Sequence, residues 1–438
     1  MAKTYRCYLP EQSLLLPPNL RDWLPDDHLA YFVSELVDEL DLAAIESYYE
    51  AETRGQPPYH PRLMVKLLVY GYCVGVRSSR KIAQRLDEDI AFGVLAAGNR
   101  PDFRTISDFR KIHLKALEAL FEQVLRLALE AGALRIGRVA LDGTKMKANA
   151  SKHKAMSWKR MRETERRLRR EAREILAEAA RVDEQEDGRW GERRGDELPA
   201  ELARRESRLA RIREAKKALK QRARERAAAA DKTPQEVVKE QPADKDQYNF
   251  SDPESRIMKG GDGFVQGYNA QAAVEPACRL IVGQTLTNEA NDKHQLEPLV
   301  EAVERQAGQR PTGVLADSGY CSEQNLEYLE SQDEPAKQIE AWLATRKMKH
   351  NEAPPAAPRG PIPQGLTQVE RMQRKLRTQA GRKVYARRKA IVEPVFGQIK
   401  QARGIRQFLL RGLHKAKGEW ALICLTHNVL KMHRLVTA

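Results

Sequence analysis

Apolar residues recur at spacings of three and four through HLAYFVSELVDEL, HPRLMVKLLVYGYCVGV and SSRKIAQRLDEDIAFGVLA, which predicts a mostly helical segment up to about residue 135. Ser78 or Ser79 is placed to cap RKIAQRL. The stretch LLVYGYCVGVRSSRKIAQRL reads as two helices joined by a short Gly-containing turn. That is either a helix-turn-helix or a plain bundle with a solvated basic edge. IGRVAL then predicts a short buried strand ending at Asp142. From residue 155 to about 245 the apolar positions thin out among Glu, Arg, Lys and Ala. Leu202, Leu209, Ile212 and Leu219 keep a coiled-coil seam, and VDEQEDGRWGERRGDELPAE breaks the helix. The expectation is a long antiparallel helical hairpin inserted into another domain.

Beyond residue 250 the pattern turns to strands. GFVQGYNAQAAVE and RLIVGQTLTN predict a hairpin with Pro276 and Cys278 near its turn. DKHQLEPLVEAVERQ predicts an amphipathic helix that Asp292 could cap. GVLADSGY predicts a buried strand ending at Asp317, SEQNLEYLESQ a helix and IEAWLATRK a strand. A Pro-rich loop over 348–366 leads into basic helices. The expected domains are 1–130, helical and DNA-binding; 135–154 with 246–410, catalytic; 155–245, the charged insertion; and 411–438, a C-terminal helix.

Charge adds the next constraint. The net charge of +15 is distributed over several segments, which points to a long polyanion rather than one anionic patch. The five cysteines form no CxxC pair, so neither a zinc site nor a disulfide framework is implied. No apolar run is long enough to span a bilayer and no signal peptide is evident, so a soluble protein of the cytoplasm is expected.

The candidate chemistry lies in three acids. Asp142 and Asp317 each close a short apolar strand, and acids at the ends of adjacent strands converge and repel. A pair of divalent cations relieves that repulsion and can activate a water and stabilise a leaving oxygen. Hard Mg²⁺ suits carboxylate ligands. The run RKAIVEPVFGQIKQARGIRQF is dense in Arg and Lys, yet it holds Glu393, the only acid between Glu370 and Glu419. Glu393 makes sense as a third carboxylate, brought in by the first turn of a basic helix in which Pro394 is tolerated. Two acids at strand ends and one on a helix form the arrangement of a ribonuclease-H-like nuclease core.

These residues carry a family resemblance. HPRLMVKLLVYGYCVGVRSSRKIAQRLDEDIAF, RPDFRTISDFRK, VALDGTKMKANASK, GYNAQ, LADSGY, YARRKAIVEPVFGQIK and EWALICLTHNVLK occur in the order found in bacterial insertion-sequence DDE transposases. The chain most resembles the IS1182 group of the IS4/IS5-like families. The resemblance implies an α/β protein: an RNase H-like catalytic core with an N-terminal all-α domain and a charged helical-hairpin insertion. It implies two Mg²⁺ or Mn²⁺ ions on Asp142, Asp317 and Glu393, and a homodimer on double-stranded DNA that carries the terminal inverted repeats and the target. A prokaryotic, nucleoid-associated protein follows. Contacts to DNA are expected from Arg77, Arg80, Lys81 and Arg85, from Lys145 and Lys147, and from Tyr385, Arg387, Arg388, Lys389, Lys400 and Arg403.

One departure from the related IS4 signature stands out. Tyr385 and Arg388 keep their mutual spacing, and Lys400 its spacing from Glu393. Four residues rather than three separate Arg388 from Glu393, and Lys389 sits where the signature has Arg. Plainer roles also exist: Asp317 could start a turn, Asp262 and Asp292 are rival acids, and His427 on an apolar helix reads as a core histidine. Rival functions are a domesticated DNA-binding protein that has lost cleavage, another RNase H-like nuclease, and an RNA-binding structural protein. No GxxxxGK[ST] loop suggests use of ATP.

Overall fold

The computed structural model describes residues 19–437, apart from 51–56, 191–199, 229, 231, 261–262, 331–337 and 347–355. Asp262 and the first part of the Pro-rich loop therefore lie outside the described residues. Among the described residues, seven α-helices precede the sheet: α1 (Leu29–Asp38), α2 (Ala43–Glu50), α3 (Pro61–Cys73), α4 (Ser79–Glu88), α5 (Ile90–Leu95), α6 (Phe103–Ile112) and α7 (Leu114–Glu130). Pro61 stands in the first turn of α3, where no intrahelical N–H bond is lost, and the His60 side chain accepts from the Arg62 amide. The α3–α4 turn needs Gly75: its φ is +79°, and a Cβ there would sit 2.6 Å from the Arg403 carbonyl oxygen.

Strand β1 (Arg138–Lys147) follows. It does not stop at Asp142, because β5 (Gly263–Val274) keeps pairing with it as far as Lys147↔Gly267. The hydrophobic run ends at Leu141, but the hydrogen-bond ladder runs on through the polar residues. After β2 (Ala155–Ser157) the chain leaves the sheet as α8 (Trp158–Trp190) and α9 (Ala200–Ala228). It returns through α10 (Pro234–Lys239) to β3 (Gln247–Asn249), which pairs antiparallel with β2 and closes the base of the hairpin. Glu165 meets Lys216 while Glu171, further along α8, meets Arg205, so the two helices are antiparallel. They bury a small core of their own, including Met161, Leu168, Leu209, Ile212, Ala215 and Leu219. Helix α8 also runs eight or so residues into the expected break, because Glu, Gln and Arg there favour helix and a single Gly188 costs only about 1 kcal/mol.

The main sheet is mixed. β4 (Arg256–Gly260) and β6 (Ile281–Thr287) pair with β5, and the order β5-β1-β7-β8 continues through β7 (Gly313–Ala316) and β8 (Glu340–Leu343). β1, β7 and β8 are mutually parallel, whereas β5 is antiparallel to β1, β4 and β6. Helices α11 (Leu296–Ala307) and α12 (Glu323–Glu330) provide the crossovers. Asp292 does not cap α11, whose N-cap is Gln295.

After α13 (Gln368–Arg377) comes α14 (Gln379–Gly397), capped by Thr378, then a π-helical turn over Gln398–Ala402 and α15 (Leu413–Val436). Glu393 is thus in the penultimate turn of a 19-residue helix rather than its first, and Pro394 is an interior proline. The helix starts earlier because the Thr378 hydroxyl accepts from the Gly381 amide. Every residue from Trp420 to Val429 is buried, as expected for a helix apolar on all sides. Helix α15 packs on α3, α7 and β6, so one hydrophobic cluster runs from Ala30 to Val429 and joins the helical N-terminal part to the sheet. Among the described residues, no helix is long and apolar enough to cross a membrane.

Candidate active site

The parallel register of β1 and β7 sets Ala140 opposite Leu315. Two residues further on, Asp142 comes level with Asp317, the first residue after β7. Each carboxylate is anchored by a nearby backbone amide: Asp142 Oδ1 accepts from the Gly143 N–H and Asp317 Oδ1 from the Gly319 N–H, both at 2.8 Å. Burial pushes the Asp142 carboxyl up to about 6, the charge of Asp317 pushes the same way, and the Arg388 guanidinium opposes both. Arg388 Nη1 lies 3.1 Å from Asp142 Oδ2. Tyr385, one turn earlier on α14, hydrogen-bonds Arg388 and is itself raised by burial. Lys400 donates to Thr144 Oγ1 and, at 3.0 Å, to the Lys145 carbonyl oxygen of β1. Asp142, Asp317, Tyr385, Arg388 and Lys400 are therefore gathered along one edge of β1.

Glu393 is bonded to none of them. It is exposed and takes part in no hydrogen bond or ion pair among the described residues. The extra residue noted in the signature separates its direction from that of Arg388: five steps along an α-helix turn a side chain by about 140°, whereas four return it to within about 40°. Among the described residues, no three His, Cys, Asp or Glu side chains are close enough as they stand to hold a metal ion.

The expected DNA contacts divide as well. Arg80, Lys81 and Arg85 are exposed on α4, with the Arg80 guanidinium 5.2 Å from the centre of the Phe103 ring. Lys147, Arg387 and Lys389 are also exposed. Arg77 and Arg403 are not free for DNA. Arg77 Nη1 is held by Glu419 Oε1 at 3.1 Å and by the Gln407 carbonyl oxygen at 2.8 Å. Arg403 is buried, bonded to Thr426 Oγ1 at 2.8 Å and to the Ile423 carbonyl oxygen at 3.2 Å. Local charge density drew both into the expected set, whereas the fold uses them to fasten the 403–410 segment between α3 and α15. Lys145 turns inward, 3.3 Å from Asp292 Oδ1.

Asp292, which the sequence offers as a helix cap or a rival acid, stands beside Asp317. Its Oδ1 accepts from Asn269 Nδ2 at 2.6 Å and Gln271 Nε2 at 2.8 Å, and the Tyr320 hydroxyl donates to Gln271 Oε1. The only trace of this in the sequence is the polar alternation Asn269, Gln271 inside a strand otherwise buried on both faces.

Comparison with known proteins supplies the context. The Transposase domain (DUF772) family matches residues 18–112, and the Transposase DDE domain family matches residues 222–429. The chain is an insertion-sequence DDE transposase. The pairing of these two domains is the IS1182-like architecture. No curated protein and no solved structure matches the transposase. The DDE match begins inside α9 and so leaves β1 and Asp142 outside it, although β1 is central in the sheet. Transposases of this kind act on DNA and use divalent metal ions. The observed donors fit such an ion: two carboxylates side by side, one held against a protein cation, together with a buried Asn269 Oδ1 that has no hydrogen-bond partner.

Proposed function

We propose that the transposase cleaves DNA at the ends of its insertion sequence and joins the freed 3′ ends to target DNA, with Asp142 and Asp317 as the acids of an RNase H-like core. The observation that carries this reading is the register that levels these two residues on neighbouring strands. The mixed sheet order β4-β5-β1-β7-β8, with β6 also paired to β5 and the charged hairpin leaving after β2, supports the same fold. When bound, two Mg²⁺ or Mn²⁺ ions supply charge neutralisation at the scissile phosphate and a more acidic attacking oxygen.

The chain's own groups do the rest. Asp142 and Asp317 present oxygen donors, fixed in orientation by the Gly143 and Gly319 amides. Arg388 compensates Asp142 and is positioned by Tyr385 to meet a phosphate once that charge is taken over. Lys400, lying along β1, offers a second cation on the same edge. Arg80, Lys81 and Arg85 on α4 contact the terminal repeats, and Arg387, Lys389 and Lys147 hold the backbone. Two copies act together at paired ends.

The test is a cleavage assay on DNA carrying the element ends, with Mg²⁺ or Mn²⁺. Asp142→Asn and Asp317→Asn should each reduce cutting by well over a hundredfold, the upper end of what loss of a merely supporting contact costs (about 10–100-fold), while DNA binding persists. Full activity in either variant would refute the assignment. DNA binding by the wild type without any cutting would favour the domesticated binding protein.

A further inference from the structure

Helices α8 and α9 neutralise the charges that lie between them and leave others bare. Where the two helices meet, Glu165 takes Lys216 at 2.6 Å together with Arg169, and Glu171 takes Arg205 at 3.2 Å. At the base of the hairpin, Lys154, Arg160, Arg204, Arg208 and Arg211 surround a cavity of about 740 Å³, and among the described residues no acid lines it. We propose that this cavity is a further DNA site, which takes one unpaired nucleotide of a DNA strand with its phosphates on the arginines and its base against Phe250. The site depends on the family's action on DNA and not on which acids hold the ions.

The rim of the cavity is cationic without compensation. Arg204, Arg208 and Arg211 follow one another at spacings of four and three, so they share one face of α9. Arg160 in the first turn of α8 and Lys154 just before β2 complete the rim. All five are exposed, and no side chain among them makes a hydrogen bond or ion pair with a described residue. Glu163 stands beside Arg160 and Arg208 in the neighbouring groove but pairs with neither. A solvated helix face ordinarily interleaves acids and bases, because like charges in such positions repel. Here an anion is the missing partner, and the phosphates of a nucleic-acid strand supply it.

The floor is apolar and fixed. Ile212 is buried, and Met156 and Phe250 are half-buried against the hairpin's own core. The Phe250 ring meets Tyr248 edge-on, with 5.4 Å between ring centres, and the Phe250 amide donates to the Lys154 carbonyl oxygen at 3.1 Å. Pairing of β2 with β3 therefore holds the ring and the rim together. The volume lies in the range of small-ligand sites, about 300–1,000 Å³. A duplex keeps its bases stacked inside and offers such a site only phosphates, whereas an unpaired nucleotide offers charge and a π-face together.

The cavity is also tied to the catalytic sheet. Only a short segment separates it from the end of β1 at Lys147. Within that segment Asn149 Nδ2 donates to the Leu409 carbonyl oxygen at 2.7 Å, and the Ser151 carbonyl oxygen accepts from Asn249 Nδ2 at 2.8 Å.

The test measures binding of the full chain to a labelled oligothymidylate single strand and to a duplex of equal length, by fluorescence anisotropy without divalent ions. Phe250→Leu fills the apolar space but removes the stacking face. It is expected to weaken single-strand binding about fivefold or more and duplex binding by less than about twofold. Arg208→Gln combined with Arg211→Gln should weaken single-strand binding and lower its salt dependence by about two charges. No loss in Phe250→Leu, or equal loss for strand and duplex, would overturn the proposal; a response to the arginine changes alone would leave only a phosphate-binding surface. Thymidine monophosphate at millimolar concentration should not displace the strand, and displacement would make this a site for a free nucleotide instead. A second measurement needs no variant: a strand carrying thiothymidine is photo-crosslinked to the wild type and the attached peptide is mapped. Crosslinks at Met156 or Phe250 are expected, and crosslinks that avoid 153–160, 204–212 and 248–251 altogether would overturn the assignment.

Discussion

Arg403 and Lys389 show how little a residue's charge says about its role. Both lie in the same basic run, yet Arg403 is buried among Thr426, Ile423 and Tyr72, and burial pulls its guanidinium down to about 10. Arg403→Ala should lower stability by about 2–4 kcal/mol, through lost hydrogen bonds and a cavity, in a denaturant melt. Lys389→Ala should leave the melt unchanged and reduce the salt dependence of DNA binding by about one charge. His427 makes a similar point. Burial holds its imidazole down to about 3, with Nε2 donating to the Arg279 carbonyl oxygen and Nδ1 paired with Gln398. A neutral folded histidine takes up no proton, whereas the unfolded chain binds one near pH 6.5. Stability from this group is therefore full above that pH and falls as pH drops from 6.5 toward 3, by about 1.4 kcal/mol per unit. Removing the ring in His427→Gln should flatten this part of a pH–stability curve; an unchanged slope would contradict the assignment.

Elements were legible where periodicity was strong and local. The helices of the N-terminal segment, the β5–β6 hairpin and the long charged hairpin all follow from apolar spacing and turn residues. Boundaries failed where a neighbour decided them. Strand β1 outruns its hydrophobic run because β5 is there to pair with it, and α14 begins well before Glu393 because Thr378 caps it. The α3–α4 turn depends on a contact from the far end of the chain, since Gly75 packs on the Arg403 backbone. Gly75→Ala would need a left-handed φ and would clash with that carbonyl. A loss of about 2 kcal/mol or more is expected, readable as a lower thermal midpoint, with the α3–α4 amides exchanging faster.

At the scale of the whole molecule, the N-terminal helices and the sheet share one core, with α15 as the common wall. Its buried Glu419 links them. The carboxylate accepts from Arg77, from the Leu409 and Leu410 amides and from the Tyr72 hydroxyl, and burial pushes it up from its ordinary range. Removing one partner of such a buried pair leaves the other uncompensated, so Glu419→Ala should cost about 3–5 kcal/mol. Helix and sheet signals should unfold together in the wild type, as one transition; separate transitions for the helical part and the sheet would argue against the shared core. The α8–α9 hairpin, with its own small core, is the part free to open alone.

The sequence by itself determined the family, most of the order of elements and, through the family, DNA as the polyanionic partner, because each depends on local pattern or motif. Tertiary structure decided which charges reach the site. Whether Glu393 joins Arg388 depends on a rotation of about 140° along α14, and a one-residue change in spacing sets it. Whether Asp292 caps a helix or stands beside Asp317 depends on Asn269 and Gln271, on a strand that pairs with β1 but lies more than a hundred residues away in sequence. Side-chain direction at a site is fixed by such long-range neighbours, and no local periodicity encodes them.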